Sequence, residues 1–249
     1  MTSHTLTGKV AIVTGGSSGI GAACVRALAA EGARVVVGYH RGHERADALI
    51  AQLPGTGHAA MAVPLEDTQA HAELAAWATR ALGRVDILVN SAGYTRRIAH
   101  RDLDAMDGTL FNEILTANAG GPFSVIRALL PLLQASGDGL VVNISSVSAF
   151  TGLGSNLAYC AAKAALDTLT VSLARAFGPQ VRFLSVSPAA VDTDFVEGRT
   201  REELQKKAAQ TPLGRVVTPE DVARTVLACA THLRTATGTR LVIDGGHTL

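Results

Sequence analysis

Tyr159 and Lys163 stand four apart in the alanine- and leucine-rich stretch Leu157–Phe177, so on a helix they share one face. A free tyrosine ionises near pH 10, which leaves about one phenol in a thousand charged at neutrality. A nearby ammonium favours the phenolate. Lowering the pKa by about three units takes roughly 4 kcal/mol of differential interaction. A close lysine, a cofactor cation and hydrogen bonds together supply it in a partly desolvated site, so the spacing predicts a phenol tuned into a general acid or base near neutral pH. Such a group can give a proton to, or take one from, an oxygen of a bound substrate.

A second constellation lies near the amino end, where "TGGSSGIG" runs from Thr14 to Gly21 between an apolar strand and a helical segment. Glycines in such a turn let the backbone approach a phosphate, and the helix amino end attracts its charge. Gly15, Gly19 and Gly21 are spaced GxxxGxG, not GxGxxG. Gly15-Gly16-Ser17-Ser18-Gly19 also fits GxSxG, the nucleophile elbow of a hydrolase, with Asp244 and His247 available as partners. An elbow is expected after several strands, so the phosphate reading is preferred.

These residues need a scaffold, and the chain supplies an alternating one. Short apolar runs at Val10–Thr14, Arg34–Tyr39, Ala59–Val63, Asp86–Asn90, Leu140–Ser145, Val181–Ser187 and Arg240–Asp244 predict strands. Helical periods fall at Ile20–Glu31, His43–Leu53, Gln69–Leu82, Asp104–Gln134, Leu157–Phe177 and Pro219–Leu233. Nearly unbroken apolar strands alternating with helices predict an α/β fold: one doubly wound Rossmann domain over 1–249, with a seven-stranded parallel sheet covered on both faces. Residues 189–218 break the rhythm with a polar stretch, "EGRTREELQKKAAQ", and are expected to form a substrate-binding lid.

Bulk composition narrows the classes. The chain has 249 residues, 47% hydrophobic and 17% charged, which predicts a large core and no disorder. A net charge of +1 without a basic run speaks against nucleic acid or an anionic membrane as partner. Cys24, Cys160 and Cys229 show no ligand spacing. His40 and His43 form HxxH without a third ligand, so no metal is expected. The opening "MTSHTLTGKVAIVTGG" carries no apolar signal core and no window of about 18 apolar residues is evident, which predicts a cytoplasmic protein.

Taken jointly, TGxxxGxG, Asn90-Ser91-Ala92-Gly93, Ser146 thirteen before Tyr159, Tyr159-x-x-x-Lys163, "SPAAVDTDF" and "VIDGG" resemble the short-chain dehydrogenase/reductase family over essentially the whole chain. The likeness to beta-ketoacyl-carrier-protein reductases and to sugar or steroid dehydrogenases is about equal. The resemblance implies a catalytic set of Asn118, Ser146, Tyr159 and Lys163. Ser146 would hold and polarise the substrate oxygen, Lys163 would also bind the nicotinamide ribose, and Asn118 would support a water relay to it. It implies dinucleotide contacts from Gly15, Ser17, Ser18, Gly19, Ile20 and Gly21, then Asn90, Ala92 and Gly93, and finally Pro188, Val191 and Thr193. Glu66 and Asp67 stand where the family has Asp followed by an aliphatic residue, so the adenine contact would run through the Glu66 carboxylate and the Asp67 amide. Ala189 replaces a usual glycine, and its β-carbon narrows the nicotinamide side.

The second strand ends with Tyr39 where an NAD enzyme carries an acid, followed by His40 and Arg41. A guanidinium grips a 2′-phosphate that an acid would repel, so NADP(H) is expected, with NAD(H) as the alternative. The expected function is an NADP(H)-dependent carbonyl reductase or alcohol dehydrogenase. The alternatives are an NAD(H)-dependent alcohol, sugar or steroid dehydrogenase and a dinucleotide-binding regulator without chemistry. Tyr94, Phe150, Leu153 and Phe195 are candidates for an apolar substrate pocket that Ser146 completes. Arg96, Arg97, His100 and Arg101, with Arg199, Arg201, Lys206 and Lys207 in the lid, offer charge for an anionic substrate. Asp102, Asp104, Glu202 and Glu203 sit beside them and favour a balanced, solvated surface instead. The apolar surface of the two longest helices predicts a homotetramer, with a dimer second.

Overall fold

A computed structural model describes residues 5–249; the first four residues of the opening stretch scanned for a leader lie outside the described residues. Seven strands form one parallel sheet: β1 (Val10–Thr14), β2 (Arg34–Tyr39), β3 (Ala59–Ala62), β4 (Ile87–Asn90), β5 (Gly139–Ile144), β6 (Val181–Pro188) and β7 (Thr239–Ile243). Their spatial order is β3-β2-β1-β4-β5-β6-β7. The chain thus winds one way from β1 to β3, then crosses back to β4 and winds the other way. A crevice opens at the carboxyl ends of β1 and β4, where the direction reverses, and ligands bind at such switch points.

The strand period of two divides the core. Ala11 and Val13 face one layer with Val35, Val37, Val89 and Val142. Ile12 faces the other with Val36, Leu88, Val141 and Phe183. The first layer is closed by α1 (Gly19–Ala30), α2 (His43–Ile50) and α9 (Pro219–Thr231), through Cys24, Leu28, Leu49 and Val226. The second is closed by α3 (Thr68–Ala81) and α5 (Gly121–Ala135), through Leu74, Ile126, Leu129 and Leu133. Each such leucine or isoleucine contributes about 1.5–3 kcal/mol when fully buried.

The expected helix over Asp104–Gln134 is differently built. Asp107 caps α4 (Gly108–Leu115) by accepting from the Leu110 amide at 2.8 Å, so residues 104–107 lie outside the helix. A π-helical turn over Thr116–Gly120 then joins α4 to α5. The polar stretch read as a lid contains α8 (Arg201–Ala208), started by Thr200, whose hydroxyl accepts from the Glu203 amide at 3.2 Å. Only Leu204 and Ala208 of α8 are buried. The four-residue α6 (Ser148–Thr151) follows β5, and α7 (Leu157–Phe177) has the expected bounds. Contrary to the sequence expectation, α7 is long and apolar enough to cross a membrane by length and composition alone. Its buried residues are Ala158, Cys160, Ala162, Lys163, Leu166, Asp167, Thr170 and Ala174, as befits a helix laid on a sheet.

Candidate active site

The amino end of α1 is shaped for close approach. A β-carbon at Gly21 would stand 2.2 Å from the Gly15 carbonyl oxygen, and one at Gly15 would stand 2.8 Å from the Ala92 α-carbon. Neither position admits a side chain. Gly15 and Gly19 also have φ of 63° and 50°, a region that favours glycine. Ser18 precedes the helix without a side-chain cap bond, and no acid lies in the first turn, so the first amides remain for an anion. The Thr14 hydroxyl accepts from the Ser91 and Ala92 amides at 3.2 Å each, which pins the loop after β4 to the end of β1. The cradle fits a dinucleotide pyrophosphate.

At the end of β2, the Ser17 hydroxyl and the Arg45 guanidinium converge on Gly42, where a β-carbon would meet them at 2.6 and 2.7 Å. Arg45, in the first turns of α2, is not among the sequence candidates. His40 stands 3.7 Å from Glu66, both exposed. Asp67 is a correction: its carboxylate caps α3 by accepting from Gln69 and Ala70, and its amide donates to the Pro64 carbonyl at 3.3 Å, so neither is free for adenine. Asn90 is a second correction. It is buried, and its amide donates to Asn143 at 2.9 Å across β4 and β5, while Asn143 donates to Thr170. Its amide nitrogen is thus committed to the link from β4 through Asn143 to α7, while its Oδ1 has no partner. The hydrolase alternative finds no triad: Ser17 sits at Gly42, and Asp244 is occupied by the Gly246 and Thr248 amides and the Thr248 hydroxyl.

Three of the four catalytic candidates, Ser146, Tyr159 and Lys163, line one cavity of about 780 Å³ at the carboxyl ends of the strands, and Asn118 lies outside its lining. Ser146, Tyr159, Lys163, Ile20, Gly93, Pro188, Val191 and Thr193 all line it. The Ser146 hydroxyl accepts from the Ser148 amide and donates to the Ser148 hydroxyl, both at 3.1 Å, which fixes its aim. Asn156 positions the phenol from behind: its Oδ1 accepts from the Tyr159 amide at 2.7 Å, and its Nδ2 donates to Thr95 and the Arg96 carbonyl. Asn118 sits in the π-turn, a device common at functional sites. Its Nδ2 donates to the Tyr94 and Ile114 carbonyls, and its buried Oδ1 lacks a partner.

Burial dominates the electrostatics of the phenol and the ammonium. The Lys163 ammonium is 5.5 Å from the Tyr159 ring centre and donates to the Ile144 carbonyl at 2.8 Å. Burial pulls Lys163 down to about 8, with Asp167 opposing. Burial also pushes Tyr159 up to about 12, against the pull of the Ser146 hydroxyl and of the Arg199 charge. The chain alone therefore does not lower the phenol pKa through Lys163. The cost of desolvating a phenolate exceeds what a neighbouring ammonium, itself desolvated, returns.

Of the apolar substrate candidates, Leu153 and Phe195 line the cavity, with the Phe195 and Tyr159 ring centres 6.0 Å apart. Phe150 and Tyr94 are corrections. Phe150 is stacked under Arg240, whose guanidinium carbon is 4.5 Å from its ring centre. Tyr94 packs with Met106, Leu110 and Ile114, and its hydroxyl accepts from Arg96.

A family model described as enoyl-(acyl carrier protein) reductase matches residues 15–248. The chain is 38% identical over 239 residues to ketoacyl reductase 2 of the granaticin polyketide synthase of Streptomyces violaceoruber, covering 95% of each. It is 36% identical to the D-threitol dehydrogenase of Mycolicibacterium smegmatis, over 98% of this chain and 94% of that one. A short-chain dehydrogenase/reductase structure from Burkholderia xenovorans superposes with a TM-score of 0.91 at 29% identity, over 96% of this chain and 98% of the other. With the glycine cradle, the switch-point crevice and the serine, tyrosine and lysine on one cavity floor, the chain belongs to the short-chain dehydrogenase/reductase family of NAD(P)-binding oxidoreductases acting on CH–OH and C=O groups.

Proposed function

We propose that this chain is an NADP(H)-dependent oxidoreductase that interconverts a ketone or aldehyde with an alcohol, and that Tyr159 is its general acid and base. The supporting observation is the buried Lys163, which has no carboxylate within ion-pair distance among the described residues and shares the cavity floor with Tyr159 and Ser146. The dinucleotide, when bound, supplies or accepts a hydride at its nicotinamide carbon. Ser146, held by Ser148, orients the substrate oxygen. In the reductive direction Tyr159 gives its hydroxyl proton to that oxygen; in the oxidative direction it takes the proton back. Lys163 holds positive charge beside the phenol oxygen as the proton leaves and binds the ribose. Asn118 keeps a buried acceptor on the side of Gly93 for a relaying water. Leu153 and Phe195 exclude solvent from the reacting carbon.

The 2′-phosphate preference draws support from Tyr39 in place of an acid and from Arg41, Arg45 and Ser17 around Gly42. No carboxylate lies within ion-pair distance of Arg41 or Arg45 among the described residues. Glu66, beside His40, acts against it in part. Residues 189–218 cover the cavity as a lid in this reading, and the exposed Phe123, Leu157 and Val171 on α5 and α7 support assembly into a homotetramer.

Tyr159→Phe tests the assignment. Turnover of ketones should fall roughly 10²–10⁴-fold while dinucleotide affinity by fluorescence titration holds. Near-normal turnover would overturn it. Comparable catalytic efficiency with NADH would reject the 2′-phosphate preference, and a monomeric mass by light scattering would reject the tetramer.

A further inference from the structure

The charged groups on the cavity wall are not all matched. Arg97, from the loop after β4, pairs with Glu203 of α8 through two bonds of 3.2 Å. Arg201 faces Asp192 at 3.6 Å and Arg215 faces Asp221 at 3.7 Å. Of the acids expected to balance this region, Glu203 does so here; Asp192 and Asp221 supply the other two partners. Two cations on the wall are left over, the exposed Lys207 and, away from full solvent, Arg199. Arg199 lines the same cavity as Tyr159, is partly buried, and its guanidinium has neither an ion pair nor a hydrogen bond among the described residues. Glu203, the carboxylate that acts on it, is already committed to Arg97. Burial, then repulsion by Arg97, opposes its charge.

The residue is also held in place. Gly198 turns the chain with a φ of 72°, the Arg199 amide donates to the Val196 carbonyl at 3.2 Å, and Thr200 starts α8 directly after it. An arginine remains charged at any working pH, and its planar fork takes an oxyanion through two parallel hydrogen bonds. Leaving such a group partly desolvated beside the reacting phenol is costly unless a ligand supplies the missing charge.

We propose that Arg199 is the anion-binding residue of the substrate site, and that the substrates are oxo acids and their hydroxy-acid counterparts, with the carbonyl at Tyr159 and the carboxylate at Arg199. This rests on the reading of the same site as a carbonyl–alcohol oxidoreductase. Balance is simple: hydride arrives at the carbonyl carbon, the Tyr159 proton goes to its oxygen, and the carboxylate stays ionised throughout.

The test compares acetoacetate, 4-oxopentanoate and 4-oxocyclohexanecarboxylate, each against its methyl ester, in wild type, Arg199→Gln, Arg199→Lys and Tyr159→Phe, with NADPH and with NADH. Wild type should prefer at least one acid over its ester by roughly 10- to 100-fold, as expected for a charged hydrogen bond. Arg199→Gln should collapse that ratio toward one through KM, and Arg199→Lys should restore part of it. Dinucleotide affinity should hold in both, which also shows that they fold. Equal use of acid and ester by wild type, or a preference that survives Arg199→Gln, overturns the inference. So does a loss of dinucleotide affinity in Arg199→Gln, which would make Arg199 a cofactor anchor. Acetoacetyl-coenzyme A separates a carboxylate from a distant phosphate: if Arg199→Gln impairs only this thioester, the carboxylate assignment falls. Ketone reduction that persists in Tyr159→Phe overturns the oxidoreductase mechanism itself, whatever the acid preference.

Discussion

The two ends of β4 treat charge in opposite ways. At the entry, Asp86 is 1% exposed, and its carboxylate accepts from the Val10 amide at 2.9 Å, Lys9 at 3.0 Å and Arg84 at 2.9 and 2.6 Å. Burial raises its pKa, but Arg84, the Val10 amide and Lys9 outweigh that and hold the carboxyl below the usual range. At the exit, a few strand residues away, Lys163, Tyr159 and Arg199 are desolvated without comparable partners. The entry end is built to be satisfied by the chain, and the exit end is built to be satisfied by ligands. Stability and function are therefore assigned to opposite edges of one sheet.

The comparison breaks first at the entry. Asp86→Ala should cost about 2–4 kcal/mol in urea unfolding, because the buried Val10 amide loses its acceptor. The same variant should leave dinucleotide affinity unaltered, and a loss of affinity without a loss of stability would collapse the distinction. Because the native Asp86 pKa is depressed, its contribution is present above the unfolded value near 4 and disappears as pH falls through the native value. Asp86→Asn should therefore lose less stability on acidification than wild type.

The exit end should respond with the reverse sign. Lys163→Met should end turnover yet raise stability at pH 7 by up to about 3 kcal/mol, since a buried ammonium is removed. Burial lowers the native lysine to about 8, so its penalty is complete below that pH and is relieved as pH climbs to the unfolded value near 10.5. The melting-temperature gain of Lys163→Met should accordingly shrink between pH 8 and pH 10. An unchanged gain across that window would argue that the lysine is not desolvated.

The smallest expected effect sharpens the boundary between the two roles. Asn156→Ala should cost about 1–2 kcal/mol as a lost helix cap. It should also reduce kcat, because the Tyr159 amide and the Thr95–Arg96 loop lose their common anchor. Asn156→Asp, which keeps the acceptor for the Tyr159 amide, should restore most of the stability but not the loop contacts.

The strands and α7 were legible because their apolar runs are long and bounded, and each observed strand falls within about a residue of expectation. The π-turn was not, because Thr116–Gly120 carries no residue pattern that marks one. Helix α8 was hidden for another reason: it has just two buried residues and no apolar stripe, although Thr200 followed by Glu203 was a readable start signal. The residues proposed for catalysis were read from spacing, and Ser146, Tyr159 and Lys163 do share one cavity. Their electrostatics were not legible, since burial of Tyr159, Lys163 and Arg199 is a property of the packed molecule. Asn90, Phe150 and Tyr94 show the converse, because neighbours in sequence to a site can be turned away from it by partners such as Asn143 and Arg240.

The reversal of strand order between β1 and β4 has an evolutionary corollary. In the proposed reading, the groups around the nucleotide's distal end, Ser17, Arg41, Arg45 and Glu66, all come before α3, whereas Asn118, Ser146, Tyr159, Lys163 and Arg199 all come after β4. If those roles hold, coenzyme choice and substrate choice sit on separate lengths of chain, and exchanging one segment should alter one choice and leave the other.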